Sequence, residues 1–393
     1  MSDRASYKKA WPLLAAVFLL LAGQGLLWTL VPLSASTNGF PQSVIGIIGS
    51  AYHAGMAVGC LCVPIIIATV GHLRAFAAFS TTAAIAILAL PFLAAPWCWV
   101  VLIVVVGFVI IGLDATSESW FHDLASNVTR GLLTSAYQVT RYVGRAVGPW
   151  IVLLAPSVAI PLFLAVSAAF LLAMLPLAVA RPTLPNRPSA GSRTNPAWLY
   201  RVAPVAAIGC LVAGATSGTM TILTPIFARQ SGLDDDGVVV LVTAVWFGAA
   251  AGNWLAGYFG DRWGDRRIVL AFLLLVAIPC QAALVTLPIN CLAITVFLLA
   301  AISGATYALY QLSSSHGVDL VGSDHAVAIS SAALLTYTLG AIGALILAGA
   351  LMDSFSPSAL FAQNAGVHAV LLLFVARDIW RTPMQEGPLA TER

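Results

Sequence analysis

The sequence predicts an all-α polytopic membrane protein, with twelve transmembrane helices arranged as two parallel six-helix repeats. Three observations carry that reading. The mean hydropathy is +0.95 over 393 residues and only 8% of them are charged, against roughly a quarter in soluble chains. Apolar stretches of about 20 residues, enough to cross a hydrocarbon core, recur from end to end. The chain also matches itself without a gap when residues 25–79 are moved forward by 193 positions. A transmembrane β-barrel would show short alternating segments instead.

In order, the spans are expected near 11–35, 43–70, 75–95, 98–121, 132–155, 157–180, 202–228, 238–259, 268–289, 292–315, 327–352 and 357–377. The first follows Arg4, Lys8 and Lys9 and looks at first like a secretion signal. Its apolar run from Trp11 to Leu33 exceeds the roughly 7–15 residues of a signal core, and more spans follow, so it reads as an uncleaved helix. Trp99 to Leu113 and Ile268 to Ile289 are long apolar runs that give the fourth and ninth helices. The fifth bears Tyr137, Arg141 and Arg145 on one face, and the twelfth is interrupted by Gln363, Asn364 and His368. Residues 1–180 make an N-terminal bundle, 181–201 a linker, and 202–393 a C-terminal bundle with its tail. The linker begins "RPTLPNRPSAGSRTNP" (181–196), rich in Pro, Ser and Arg and without an apolar face.

The internal match pairs Gly25 with Gly218, Pro32 with Pro225 and Gly39 with Gly232. It also pairs Gly55, Gly59, Gly71 and Arg74 with Gly248, Gly252, Gly264 and Arg267. So long a register marks a duplication. Six helices separate the copies, so both run the same way through the bilayer, related by an axis along its normal. Gly55 and Gly59, like Gly248 and Gly252, are small-xxx-small steps that let helices approach closely. Of the 18 Lys and Arg residues, 15 fall on the side holding both termini and Arg229 alone on the other, with Arg141 and Arg145 in the membrane. The positive-inside rule then places both termini in the cytoplasm, as in a multi-pass protein of a bacterial inner membrane.

The net charge of +3 is this same bias and implies no nucleic-acid partner. The six cysteines lack metal-ligand spacing, and no phosphate-cradling G-x-x-x-x-G-K occurs. No nucleophile–base pair is evident either. Neither a metal, a cofactor nor an enzymatic activity is expected; the expected partners are the lipid bilayer and a small solute, and the expected state is a monomer.

One stretch breaks the apolar pattern. Residues 257–267, "GYFGDRWGDRR", fit G-x-(apolar)-x-D-R-x-G-x-R-R at Gly257, Asp261, Arg262, Gly264, Arg266 and Arg267. On twelve helices in two parallel halves, this loop resembles the major facilitator superfamily. The first-half copy, "PIIIATVGHLR" (64–74), keeps only Gly71 and Arg74. Residues 118–149, with Glu118, Ser119, Trp120, Arg130, Gly131, Tyr137, Gly144 and Gly148, are similar to the YcaD-like branch, and Tyr337, Gly340 and Gly343 fit it too. The resemblance implies a secondary transporter rocking two bundles about a midplane site. It also implies that Asp261 faces a neighbouring helix N-terminus, an asymmetric latch of the outward-facing state. The branch includes bacterial riboflavin importers, so riboflavin or another planar heteroaromatic is the implied solute.

Charges inside a bilayer are costly and need partners or water. Asp114 and Glu118 on the fourth helix and Arg141 and Arg145 on the fifth are such charges. Helix rise sets Asp114 and Arg141 at matching depth, about 12–15 Å from the inner ends. Two readings stand: a cluster that binds solute or couples a proton, and an ion pair tying the two helices. The superfamily resemblance implies a cavity lined by helices 1, 4, 7 and 10. The expected solute contacts are Gln24, Trp28, Tyr137, Arg141, Thr221, Tyr307, Tyr310 and Gln311, with Tyr52, His53, Trp246, Asn253 and Tyr337 on flanking helices. Aromatics and amides gathered at mid-depth suit a flat, hydrogen-bonding solute. His53 reads as a hydrogen-bonded structural histidine. No mid-span acid or base is read in the second half, so coupling chemistry is expected in the first. The functions in contention are uptake of a riboflavin-like solute, proton-coupled export of drugs or metabolites, and a receptor or structural role on a transporter fold.

Overall fold

The computed structural model describes residues 3–124, 130–155, 160–180, 195–287 and 291–382. Linker residues 181–194, the tail after Thr382 and the Arg130 side chain lie outside the described residues. The N-terminal half comprises α1 (Asp3–Thr37), α2 (Gln42–Val70), α3 (His72–Ala89), α4 (Pro96–Leu124), α5 (Arg130–Val147), α6 (Ile160–Leu172) and α7 (Met174–Ala180). The C-terminal half comprises α8 (Pro196–Val202), α9 (Pro204–Gln230), α10 (Asp235–Arg262), α11 (Arg266–Thr286), α12 (Leu292–Val321), α13 (Ala326–Ser354) and α14 (Ala359–Arg381). Among the described residues eleven spans are long and apolar enough to cross a membrane, α6 and α7 counting as one. The twelfth crossing is α5, whose Gln138, Arg141 and Arg145 make it too polar to stand out as an apolar run.

Prolines account for most departures from the expected spans. A proline offers no N–H to the carbonyl four residues back. Pro176 thus breaks the sixth span at Ala173, and Pro149 turns the end of α5 into a 3-10 stretch, Gly148–Leu154. Pro91 does the same at the end of α3, in Leu90–Phe92. Pro204 separates α8 from α9, so residues 196–201, read above as linker, are helical and bury Leu199 completely.

The duplication is written into the backbone. Gly39 and Gly232 turn the chain at φ 80° and 84°, and Gly71 and Gly264 at 85° and 71°, values that L side chains resist. The small-xxx-small steps pack within each half. A Cβ on Gly55 would strike the Val104 carbonyl of α4, and one on Gly248 or Gly252 would strike the α12 backbone at Ala300 or Gly304. These glycines fix α2 to α4 and α10 to α12, and do not lie in the seam between halves.

That seam is closed at one end. The α2 start packs on the α13 end, and α5 with its 3-10 extension packs on α10. Gly46 lies on the Leu345 carbonyl and Gly349 on the Gln42 carbonyl. Ser50 Oγ donates to the Ile342 carbonyl at 2.8 Å, and the Asp353 carboxylate accepts from the backbone N–H of Gln42 at 2.9 Å and Ser43 at 2.8 Å. All these contacts lie at the end remote from the basic loop 262–267.

Candidate functional site

Toward the basic end the halves separate around a cavity of about 800 Å³. It reaches from Gln24, Trp28 and Trp246 at the closed end to Ser330 and Ser331, near the start of α13. The size suits a small organic molecule. Its closed end is walled by aromatic rings from both halves. Trp28 and Tyr52 meet edge to face at 4.4 Å, Tyr52 and His53 at 5.0 Å, His53 and Tyr337 at 6.0 Å, and Tyr337 and Tyr310 at 5.4 Å. Across the cavity Trp246 and Tyr307 lie 5.5 Å apart. Hydroxyl bonds hold two of these rings: Tyr307 OH with Thr221 Oγ1 at 2.6 Å, and Tyr337 OH with Ser217 Oγ at 2.7 Å.

The four intramembrane charges all line the cavity. Among the described residues no carboxylate oxygen lies within 4.0 Å of the Arg141 or Arg145 guanidinium, so the expected α4–α5 ion pair does not form. Cavity access replaces it as the means of hydrating charge in the bilayer. Arg145 Nη2 donates to Gln24 Oε1 at 3.2 Å and its guanidinium sits 5.2 Å over the Trp246 ring. Arg141 sits 5.5 Å over the Tyr137 ring.

Of the expected solute contacts, Gln24, Trp28, Arg141, Thr221, Tyr307, Tyr310 and Gln311 line the cavity. Tyr137 does not: it is buried, stacked on Phe121 at 4.6 Å, and supports Arg141 from behind. Tyr52, His53, Trp246, Asn253 and Tyr337 do line it. Among the described residues His53 Nδ1 has no hydrogen-bond partner, so the hydrogen bond read from sequence is not made at that atom. Sequence reasoning missed Gln138, Tyr142 and a band of hydroxyls, Ser119, Ser314, Ser315, Ser330 and Ser331. The signal for that band was the pairing of serines near span ends. His368 also corrects the expectation of no mid-span base in the second half: it is fully buried on α14, Nδ1 at 3.2 Å from Gln281 Oε1, away from the cavity lining.

Within the 193-residue match, the cavity residues Trp28 and His53 of the first half pair with Thr221 and Trp246 of the second. The first half lines the cavity from α4 with the charged Asp114 and Glu118, and the second half from α12 with the neutral Tyr307, Tyr310 and Gln311.

The basic loop is built mainly for cohesion of its own half. Arg266 Nε donates to Asp319 at 2.6 Å; Arg267 bonds Asp265 and Asp378, each at 2.8 Å, and the Thr382 carbonyl at 3.1 Å. These bonds tie α11 to α12 and α14. Arg262 packs on and bonds Tyr258. Asp265, rather than Asp261, caps a helix, accepting from the Arg267 backbone N–H at 2.9 Å. Burial alone would raise the Asp265 carboxyl, but the Arg267 hydrogen bonds hold it below its ordinary value. Asp261 is 78% exposed, 3.6 Å from Arg266, and none of its ion-pair partners comes from the N-terminal half among the described residues. With the basic end open, no ion pair latches it to a helix of that half among the described residues. Gly264 supplies the turn, whereas nothing lies within 4 Å of a Cβ built on Gly257, so no close helix approach depends on it.

Comparison with known proteins agrees with this architecture. The family model of the Major Facilitator Superfamily matches residues 13–323 and 205–393. The uncharacterized MFS-type transporter YcaD of Escherichia fergusonii is 27% identical over 371 residues, covering 94% of this chain and 96% of its own. That of Salmonella typhi is 26% identical over 372 residues, with the same coverage of 94% and 96%. Among solved structures, a mutant of the nucleoside transporter NupG superposes with a TM-score of 0.81 at 14% identity, covering 93% of this chain and 98% of its own. The D-xylose-proton symporter gives 0.69 at 15% identity, covering 94% and 97%. The chain belongs to the major facilitator superfamily, in its YcaD-like branch, and is a secondary transporter rather than an enzyme.

Proposed function

We propose that this transporter moves a planar, hydrogen-bonding organic solute across a bacterial inner membrane by alternating access, with riboflavin uptake as the leading assignment. The observation that supports it is the aromatic wall of Trp28, Tyr52, Trp246, Tyr307, Tyr310 and Tyr337, which stands beside the amides of Gln24, Gln311 and Asn253. Flat rings offer a conjugated solute large contact area at little conformational cost, and the amides and hydroxyls fix its orientation. The positive-inside bias sets the basic end in the cytoplasm, so the cavity described is open inward. The closed seam between α2 and α13 is then the external gate. Counterflow of labelled riboflavin in proteoliposomes tests the assignment: saturable exchange supports it, and its absence from correctly folded protein rejects riboflavin.

A second reading, proton-coupled export of drugs or metabolites, is favoured by one observation: Asp114 and Glu118 stand in the cavity without an ion-pair partner among the described residues. Such carboxylates can exchange protons with either side as the bundles rock. In this reading Asp114→Asn or Glu118→Gln abolishes pH-driven transport while solute binding survives. A facilitator would show no proton dependence to lose.

A further inference from the structure

We infer that Arg145 and Gln24 form the recognition end of the cavity, specific for an aromatic solute that presents a planar edge of hydrogen-bond acceptors, either a carboxylate or the carbonyl and ring-nitrogen edge of a heteroaromatic. This rests on the reading of the cavity as the solute site. Arg145 lies one helical turn beyond Arg141, at the end walled by Trp28 and Trp246. A guanidinium presents five N–H donors in a flat fork. Only one of them is used by the protein among the described residues, in the 3.2 Å bond to Gln24 Oε1.

Neighbouring groups leave that fork for an acceptor. Among the described residues no carboxylate lies within 4.0 Å, and the face of the guanidinium is occupied by the Trp246 ring at 5.2 Å. Its edge is therefore the free direction. Gln24 is 2% exposed and its Nε2 is a buried donor with no partner among the described residues. An unmatched donor in a membrane interior costs free energy until an acceptor reaches it. Asp114 and Glu118 lie on α4, nearer its basic end than Arg145 is on α5. The closed end thus pairs a donor-rich pole with a π-rich wall, a combination that favours acceptor-bearing rings and repels cationic ones. Trp246 comes from the C-terminal half and Arg145 and Gln24 from the N-terminal half, so a solute bound there bridges the seam that must move.

The test measures binding to the full chain in lipid nanodiscs by quenching of intrinsic tryptophan fluorescence. The probes are riboflavin, 2-naphthoate and 2-naphthylmethylammonium. Wild type is expected to bind one or both acceptor-bearing probes and to bind the ammonium at least tenfold more weakly. Arg145→Gln should weaken acceptor binding by about 10- to 100-fold, the range for hydrogen bonds to a charged group. Arg145→Lys, which keeps charge but not the fork, should fall between. Trp254→Phe, at an exposed position of α10 outside the cavity lining, should leave binding unchanged and serves as the folding control. Naphthoate binding that depends on Arg145, without riboflavin binding, upholds the inference and removes riboflavin. Riboflavin binding unchanged in Arg145→Gln keeps riboflavin and overturns the inference. Preference for the ammonium overturns it as well.

Discussion

Replacing Asp353 should loosen the closed end of the transporter. The two oxygens of its carboxylate accept the backbone N–H groups of Gln42 and Ser43, at 2.9 and 2.8 Å, across a separation of more than 300 residues. Those N–H groups belong to the first turn of α2, where no intrahelical acceptor exists and the helix dipole favours an anion. The carboxylate is solvent-exposed, so each bond is screened; at about 0.5–1 kcal/mol apiece, the contact holds the two halves together by about 1–2 kcal/mol. That corresponds to a 5- to 30-fold shift, roughly, between closed and open forms of this end. Asp353→Ala should show the full shift, and Asp353→Asn, which keeps one acceptor and no charge, about half the free energy. The assay places a single cysteine at Thr224, buried on α9 beneath the closure, in a chain lacking the six native cysteines. A membrane-impermeant maleimide applied from the α2-start side should label Asp353→Ala about 5- to 30-fold faster than the parent. Equal rates would refute the latch, and slower labelling would reverse its sign.

Three further outcomes are expected. Gly252→Val forces a side chain against the Gly304 backbone and should lower the unfolding free energy by at least about 2 kcal/mol, seen as a lower melting temperature with or without solute. Asp265 has a folded carboxyl held below its ordinary value. Its contribution is therefore present above the ordinary carboxylate range and lost as pH falls through the folded value. Asp265→Asn should cost about 1–2 kcal/mol at neutral pH and little in strong acid, by thermal unfolding at both; a pH-independent difference would contradict this. Tyr307→Phe removes the 2.6 Å bond to Thr221 and should weaken solute binding by several fold with little change in melting temperature.

Helices were legible because burial in lipid demands long apolar runs, and the repeat because Gly39/Gly232 and Gly71/Gly264 are turns that only glycine makes cheaply. Asp114, Glu118, Arg141 and Arg145 were found as cavity groups because charge in a membrane must face water. Other features were hidden for physical reasons. The serines at 314, 315, 330 and 331 gave little warning, since a serine in an apolar helix can satisfy itself on its own backbone. Tyr137 was placed in the cavity because it shares a helical face with Arg141, yet Phe121 holds it behind that face. The Asp353 contact joins the end of α13 to the start of α2, and no local pattern encodes a partner that distant. Asp261 depends on conformation: a loop at the open end has no opposing helix to latch.

In the proposed mechanism two halves rock about the aromatic cavity, opening one end as the other closes. It is tested most directly by distances between spin labels on the purified chain, with and without a binding solute. One pair spans the basic end, at Leu73 and Leu320, and the other the opposite end, at Phe92 and Phe355, all four exposed. Rocking requires that solute shift the two distance distributions in opposite directions, the basic-end pair shortening as the other lengthens. Two distances that move together, or a basic-end pair that stays apart while the opposite end opens, would contradict it.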